Sequence, residues 1–171
     1  MNIEELTGIF RERGLETRVH SRMAGVKKKV ERKSVWVNVK KDRLKEIVEV
    51  LVETVDEFPH FCVASATDDG EHIEVNYHFT INFGHPLEEL QITFRCMLPK
   101  SNLSIPTLTD IIPATAFSER ELREMMGIEF EGLEDKRHLF LTKDCPDGVY
   151  PWRRDETGPK SLNKLYEGWK E

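Results

Sequence analysis

The sequence predicts an α+β fold: a single domain built on a mostly antiparallel or mixed sheet with helices on one face, followed by an extended C-terminal arm. Leu44, Ile47, Val48, Leu51, Val52 and Val55 recur at i, i+3, i+4, i+7, i+8 and i+11, one apolar face over three helical turns. Ile73, Val75, Tyr77, Phe79, Ile81 and Phe83, then Leu90, Ile92, Phe94, Cys96 and Leu98, alternate with polar residues, as strands with one buried and one wet face do. From Lys143 onward periodicity stops, while prolines and aromatics continue. These observations divide the chain into an α/β domain over residues 1–142 and an arm over residues 143–171.

The 171 residues suffice for one well-buried domain. With 39% hydrophobic and 33% charged residues, the composition is that of a soluble protein with a heavily charged exterior. The formal net charge of −6 argues against general affinity for nucleic acid, which needs a basic face. There is neither an apolar run long enough to span a bilayer nor a basic and apolar leader at Met1–Glu5, so a cytoplasmic location is expected. Gln91 is the single glutamine beside abundant Lys and Glu, a leaning toward thermophile composition.

Taken in order, Ile3, Leu6, Ile9 and Phe10 predict an amphipathic helix ending near Gly14. Thr17 to Met23 reads as extended, and Val35, Val37 and Val39 alternate with Trp36 and Asn38, so the two segments form a hairpin. Lys27–Lys33 between them is the one strongly basic run; it reads either as a solvated tip that protects a sheet edge or as a surface for RNA, anionic lipid or an acidic partner. The helix of Leu44 to Val55 follows. Phe58 to Thr67 is a strand, Asp68-Asp69-Gly70 a turn, and the two alternating strands come next. His72 and His78 stand about 20 Å apart along an extended strand, too far to share one ion.

Pro99 to Pro106 reads as a loop, and Thr107 to Ala116 as a short helix abutting a second one. Ser118 and Glu121 have the spacing of a capping box, Phe117 and Leu122 that of a hydrophobic staple, and Gly127 supplies the left-handed end, giving a helix of about two turns. Its charges, Glu119, Arg120, Arg123 and Glu124, fit either a solvated face laced by Glu119–Arg123 and Arg120–Glu124 pairs or a surface that meets another protein. Beyond Phe140, Tyr150, Trp152, Leu162, Leu165, Tyr166 and Trp169 give the arm more aromatics than a disordered tail carries. It reads either as laid along a partner, with Arg153 and Arg154 binding carboxylates, or as folded back on its own sheet.

Cys62, Cys96 and Cys145 are widely spaced, which argues against a disulfide framework or a metal cluster made by this chain alone. Cys62 and Cys96 read as small buried hydrophobes. A Cys62–His60–Asp68 nucleophile, or an enzyme using the strand histidines, is a weak reading, and no phosphate loop or hydrolase motif is present.

Glu119-Arg120-Glu121, Glu124, Met125-Met126, Gly127-Ile128, Phe130, Gly132, Arg137 and Leu139-Phe140 resemble the signature of the thirty-kilodalton subunit family of respiratory complex I. Tyr150-Pro151-Trp152-Arg153-Arg154-Asp155 resembles the family's Pro-Leu-Arg-Lys-Asp element. The same module occurs in complex I-related, membrane-bound nickel–iron hydrogenases and their sulfur-reducing relatives. Leu133 and Glu134 stand where the family usually has His or Lys and Pro, and Trp152 and Arg154 replace Leu and Lys; with the short chain, these departures point to the hydrogenase-like branch.

The resemblance implies an accessory subunit without a redox cofactor or catalytic residue of its own, in a hetero-oligomer at the cytoplasmic face of the membrane. It implies docking on a large hydrogenase-like catalytic subunit, beside an iron–sulfur subunit and only indirectly on the membrane arm, with the nickel–iron centre or iron–sulfur clusters in those partners. The expected interface comprises Glu119, Arg120, Glu121, Arg123, Glu124, Arg137, Tyr150, Trp152, Arg153, Arg154, Asp155 and Trp169. On that view Arg120→Glu or Arg153→Glu weakens assembly and leaves the free domain's melting temperature nearly unchanged. The thirty-kilodalton subunit of an NADH/quinone-type complex, or of a sulfur-reducing relative, is the alternative within the family. A freestanding RNA- or membrane-binding module acting through Lys27–Lys33 is the alternative of another class.

Overall fold

The computed structural model describes residues 2–27, 29–85, 88–143 and 145–159. Helix α1 (Ile3–Glu12) begins at Asn2, whose side chain accepts the Glu4 and Glu5 amides while the Glu5 carboxylate accepts the Asn2 amide. Strands β1 (Glu16–Ala24) and β2 (Val30–Asn38) form the expected antiparallel hairpin. A 3-10 turn at Lys41–Arg43 leads into α2 (Leu44–Thr54), which buries Leu44, Ile47, Val48 and Leu51. Strands β3 (His60–Asp68), β4 (His72–Ile81) and β5 (Leu90–Pro99) follow. Strand β4 stops two residues short of Phe83, where Asn82 takes a left-handed φ of 54°.

These five strands make one mixed sheet in the order β1-β2-β5-β4-β3, antiparallel except where β5 pairs parallel to β2 from Ser34–Gln91 to Asn38–Arg95. Strand β5 is therefore inserted between the two hairpins. Side chains of one parity, among them Val35, Val37, Val75, Tyr77, Ile92 and Phe94, enter a single core with the buried faces of the helices. Phe94 is its aromatic centre, 5.6 Å from Phe10 and 5.8 Å from Phe79 between ring centroids. The opposite parity holds Arg18, His20, Trp36, Arg95 and His78.

Three local expectations are corrected. Residues 107–114 form turns, not a helix, because Thr107 and Thr109 bond each other locally and the Leu108 amide goes to the Glu119 carboxylate. Helix α3 (Thr115–Met126) then starts three residues before Ser118, without a side-chain cap, since nothing between Pro113 and Gly127 breaks it. Ser118 and Glu121 thus lie inside the helix, and Phe117 is 68% exposed and staples nothing. Cys62 is exposed whereas Cys96 is buried. A bulge between Phe61 and Val63 leaves Cys62 without a partner in the ladder, its sulfur 3.3 Å from the Thr80 hydroxyl. Burial pushes the Cys96 thiol up to about 12.

A second, two-stranded parallel sheet joins β6 (Ser104–Pro106), within the segment expected to be a loop, to β7 (Glu129–Glu131). It fixes the exit of α3 against the loop that leaves β5.

Candidate partner interface

Helix α3 carries alternating acids and bases, but Glu119–Arg123 and Arg120–Glu124 are not paired on a solvated face. Each of these four side chains reaches another part of the chain. Glu119 is 0% exposed and accepts from the Tyr77 hydroxyl at 3.1 Å, the Leu108 amide at 2.9 Å and the Thr107 hydroxyl. It ties α3 to β4 and to the turn before the helix. Burial raises its carboxyl above the usual range, against the lowering effect of those three donors.

Glu124 points the opposite way around the helix and receives three consecutive amides, those of Leu139, Phe140 and Leu141. Burial alone would raise its carboxyl; the three N–H groups outweigh it and hold the group ionised below its ordinary value. Arg120 donates to the Arg137 carbonyl at 2.8 Å and pairs with Asp135 at 3.1 Å, and Arg123 donates to the Lys136 carbonyl at 3.1 Å. The non-helical strap of residues 135–141 is thereby gripped through its backbone, carbonyls by arginines and amides by a carboxylate. The backbone contacts do not depend on the identity of the strap's side chains, Asp135 adding a side-chain pair with Arg120, and they leave Phe140 63% exposed. Arg137, paired with Asp135, stays largely in solvent, and Glu121 is half-buried.

At its C-terminus α3 ends on Gly127, at a φ of 72°. A Cβ there would stand 2.6 Å from the Tyr150 ring, so glycine serves both the helix end and the seating of the tyrosine. The arm then caps the helix: the Trp152 amide donates to the Met125 carbonyl at 3.1 Å and the Arg153 guanidinium to the Met126 carbonyl at 3.2 Å, covering groups that a helix end leaves without partners. A polar cleft of about 240 Å³ remains between this end, the strap and Tyr150, bordered by Arg123, His138 and Cys145.

The same arm closes over the β3–β4 turn. Asp68, with a fully buried side chain, accepts the Gly70 and Arg154 amides at 2.9 Å each and pairs with Lys100 at 2.8 Å. Lys100 also reaches Asp155 at 2.8 Å, and Arg153 Nε lies 2.9 Å from Asp155. Burial opposes ionisation of Asp68 and Asp155, but the cations and amides win and depress both carboxyls, Asp155 strongly. Arg153 is thus engaged inside the domain, its side chain 8% exposed. The expectation that it could be reversed without loss of stability is corrected: its partners are its own Asp155 and Asp68, and Arg120 likewise has partners within the chain. Residues 145–159 thus lie against α3 and the β3–β4 turn of their own domain.

Of the twelve residues expected at an interface, Glu119 is enclosed by the chain itself, and Glu124, Arg153 and Asp155 nearly so. Trp152, Arg137 and Arg154 present surface, Tyr150 is half-buried, and Trp169 lies outside the described residues. Sequence reasoning missed Tyr77, Thr107, Lys100 and Asp135, the partners that turn those charges inward; Asp68 was read as part of a turn and of a weak Cys62–His60–Asp68 nucleophile, whereas its carboxylate is taken by Lys100 and the Gly70 and Arg154 amides. Among the described residues no group of three or more His, Cys, Asp or Glu stands close enough to hold a metal ion, and no helix is long and apolar enough to cross a membrane. His78 is bonded on both ring nitrogens, to Ser65 and Thr93 at 3.0 Å.

Residues 37–161 match the family model described as respiratory-chain NADH dehydrogenase, 30 Kd subunit. The chain is 35% identical over 134 residues to the membrane-bound hydrogenase subunit beta of Pyrococcus furiosus, covering 78% of this chain and 76% of that one. It is 28% identical over 158 residues to a subunit of the F(420)H(2) dehydrogenase of Methanosarcina mazei, covering 91% and 90% respectively. In three dimensions it is similar to a chain of the membrane-bound sulfane sulfur reductase, an archaeal respiratory membrane complex, with a TM-score of 0.72 over 98% of this chain and 95% of that one at 23% identity. That likeness concerns the fold.

Proposed function

The chain belongs to the respiratory-chain NADH dehydrogenase 30 Kd subunit family, and on that premise we propose that it is a non-redox, structural subunit of a complex I-like membrane-bound oxidoreductase, in the first place a hydrogenase. It docks on the large catalytic subunit, beside an iron–sulfur subunit, at the cytoplasmic face of the membrane. The observation that carries this reading is the similarity to the membrane-bound hydrogenase subunit beta across three quarters of both chains. The donor chemistry supports it: three cysteines, one buried, one exposed at a bulge and one in the arm, are no ligand set for a cluster. Redox centres, nickel–iron or iron–sulfur, therefore belong to the partners. What this chain brings is shape: a strap and an arm fastened on α3, with Phe117, Phe140 and Trp152 left on the outside.

Purification of the tagged chain from detergent-solubilised membranes of its own organism tests the proposal. Co-purification of a nickel–iron, hydrogenase-like large subunit is the expected result. A quinone-reductase or sulfur-reductase set of partners would move the chain to another branch of the family. A chain recovered alone, or one that turns over a substrate alone, would overturn the reading.

A further inference from the structure

The two strands of the β1–β2 hairpin bring Arg22 and Arg32 directly opposite each other as paired residues on the same face of the sheet. Like charges so placed repel. The other arginines of this face are provided for: Arg18 pairs with Glu16, and Arg95 with Glu74. Arg22 and Arg32 have no ion-pair partner among the described residues. Both line a cleft of about 310 Å³, whose one bordering acid among the described residues, Glu89, bonds the Gly84 amide. Thr80 and Gln91 belong to the same lining. The hairpin is also the cationic pole of an acidic chain, with seven Lys or Arg against the single Glu31 between Thr17 and Lys33 where the whole carries −6.

Resting on the reading of this chain as a subunit of an assembly, we propose that the Arg22–Arg32 cleft is a docking site for an acidic segment of a partner subunit, whose carboxylates supply the counter-charge that the hairpin lacks. Guanidinium forks take carboxylates bidentately, and the Gln91 side chain can add a directed hydrogen bond across the cleft. A lipid surface fits less well. The exposed apolar side chains of the hairpin, Val19 and Met23, belong to the opposite face of the ribbon from the two arginines, so a flat headgroup plane does not meet both.

The test uses the full chain expressed in its assembly, with Arg32→Glu and, separately, Arg22→Gln combined with Arg32→Gln. Arg32→Glu gives Arg22 an opposite charge across the hairpin, so the isolated chain keeps or gains melting temperature while retention of partner subunits in a potassium chloride titration weakens about tenfold. A fault of folding moves both measurements downward together, and the neutral pair, which introduces no new bridge, then reads the docking loss by itself. A photo-crosslinker at Ser34, beside the arginines on the same face, is expected to capture an acidic stretch of a partner. Unchanged salt resistance in both variants, with the assembly intact, overturns this proposal and leaves the broader one standing. A wild-type chain that purifies alone overturns both. Binding to vesicles of phosphatidylglycerol and phosphatidylcholine in equal parts, lost in the variants while partner retention is unchanged, overturns it in favour of lipid.

Discussion

Around α3, Arg120, Arg123 and Glu124 are engaged with the backbone of residues 136–141, whereas on the β1–β2 hairpin Arg22 and Arg32 face each other without a counter-ion among the described residues. Both regions look alike in sequence in being dense in charge. They differ in whether the chain folds another of its own segments over them. Around α3, the strap and arm bring carbonyls, amides, Asp135 and Asp155 to the charges, and the β3–β4 turn adds Asp68; the hairpin extends past the five-residue stretch that β5 pairs, and among the described residues its far end meets no further strand. Charge density therefore marks a place where something is held, and the topology decides whether that something is internal.

Four substitutions put this difference to the test. The largest effect is expected for Asp68→Ala, which leaves Lys100 and the Arg154 amide without their shared anion: about 3 kcal/mol of stability lost in urea denaturation, with the arm becoming protease-sensitive. Next comes Glu124→Gln, which turns an amide NH2 toward one of three N–H donors and should cost about 1–2 kcal/mol, with faster hydrogen exchange confined to Leu139–Leu141. A pH series on Glu119→Gln is expected to show a smaller effect with a distinctive sign. The folded carboxyl of Glu119 is raised, so its contribution is fully present below the ordinary carboxyl pKa and is lost as pH rises through the folded value. Asp68, Glu124 and Asp155 are depressed, so theirs is present above the ordinary pKa and lost as pH falls through the folded values. Glu119→Gln should flatten the alkaline limb and leave the acid limb in place; loss of both limbs would mean that Glu119 acts through the strap. The smallest effect belongs to the hairpin: Arg22→Gln should change the stability of the isolated chain by less than about 0.5 kcal/mol. A cost there equal to that of Glu124→Gln would erase the distinction between the two regions.

Much of this was readable in the residues. The apolar face of α2 and the alternation in β4 and β5 are local signals that tertiary structure did not override, and the hairpin, the Asp68 turn and the Gly127 helix end lay where their chemistry put them. The family was readable from the spacing of the residues around Glu119–Phe140 and Tyr150–Asp155. The burial of Glu119 was not, because helical periodicity marks apolar stripes, and a carboxylate enters the core only when distant donors such as Tyr77 and Thr107 come to it. The bulge at Cys62 reversed an inside–outside assignment made from residue type, a cysteine in a strand read as a small buried hydrophobe. The parallel contact of β2 with β5 joins segments more than fifty residues apart, and no pattern within either strand announces its neighbour. The arm was open between two readings because aromatic anchors serve an internal groove and an external one equally well.

The insertion of β5 between the two hairpins bears on how the polypeptide acquires its shape. Each hairpin closes from contacts near in sequence, yet neither has a mate until Leu90–Pro99 arrives to join them. On an emerging nascent chain the residues before Leu90 therefore hold two disconnected halves of a sheet, each with a bare inner edge, and the slow, non-local step is the threading of one strand between them. A ribosome pause shortly after Pro99 has cleared the exit tunnel should raise the yield of native protein, whereas a truncation before Leu90 should give only aggregates.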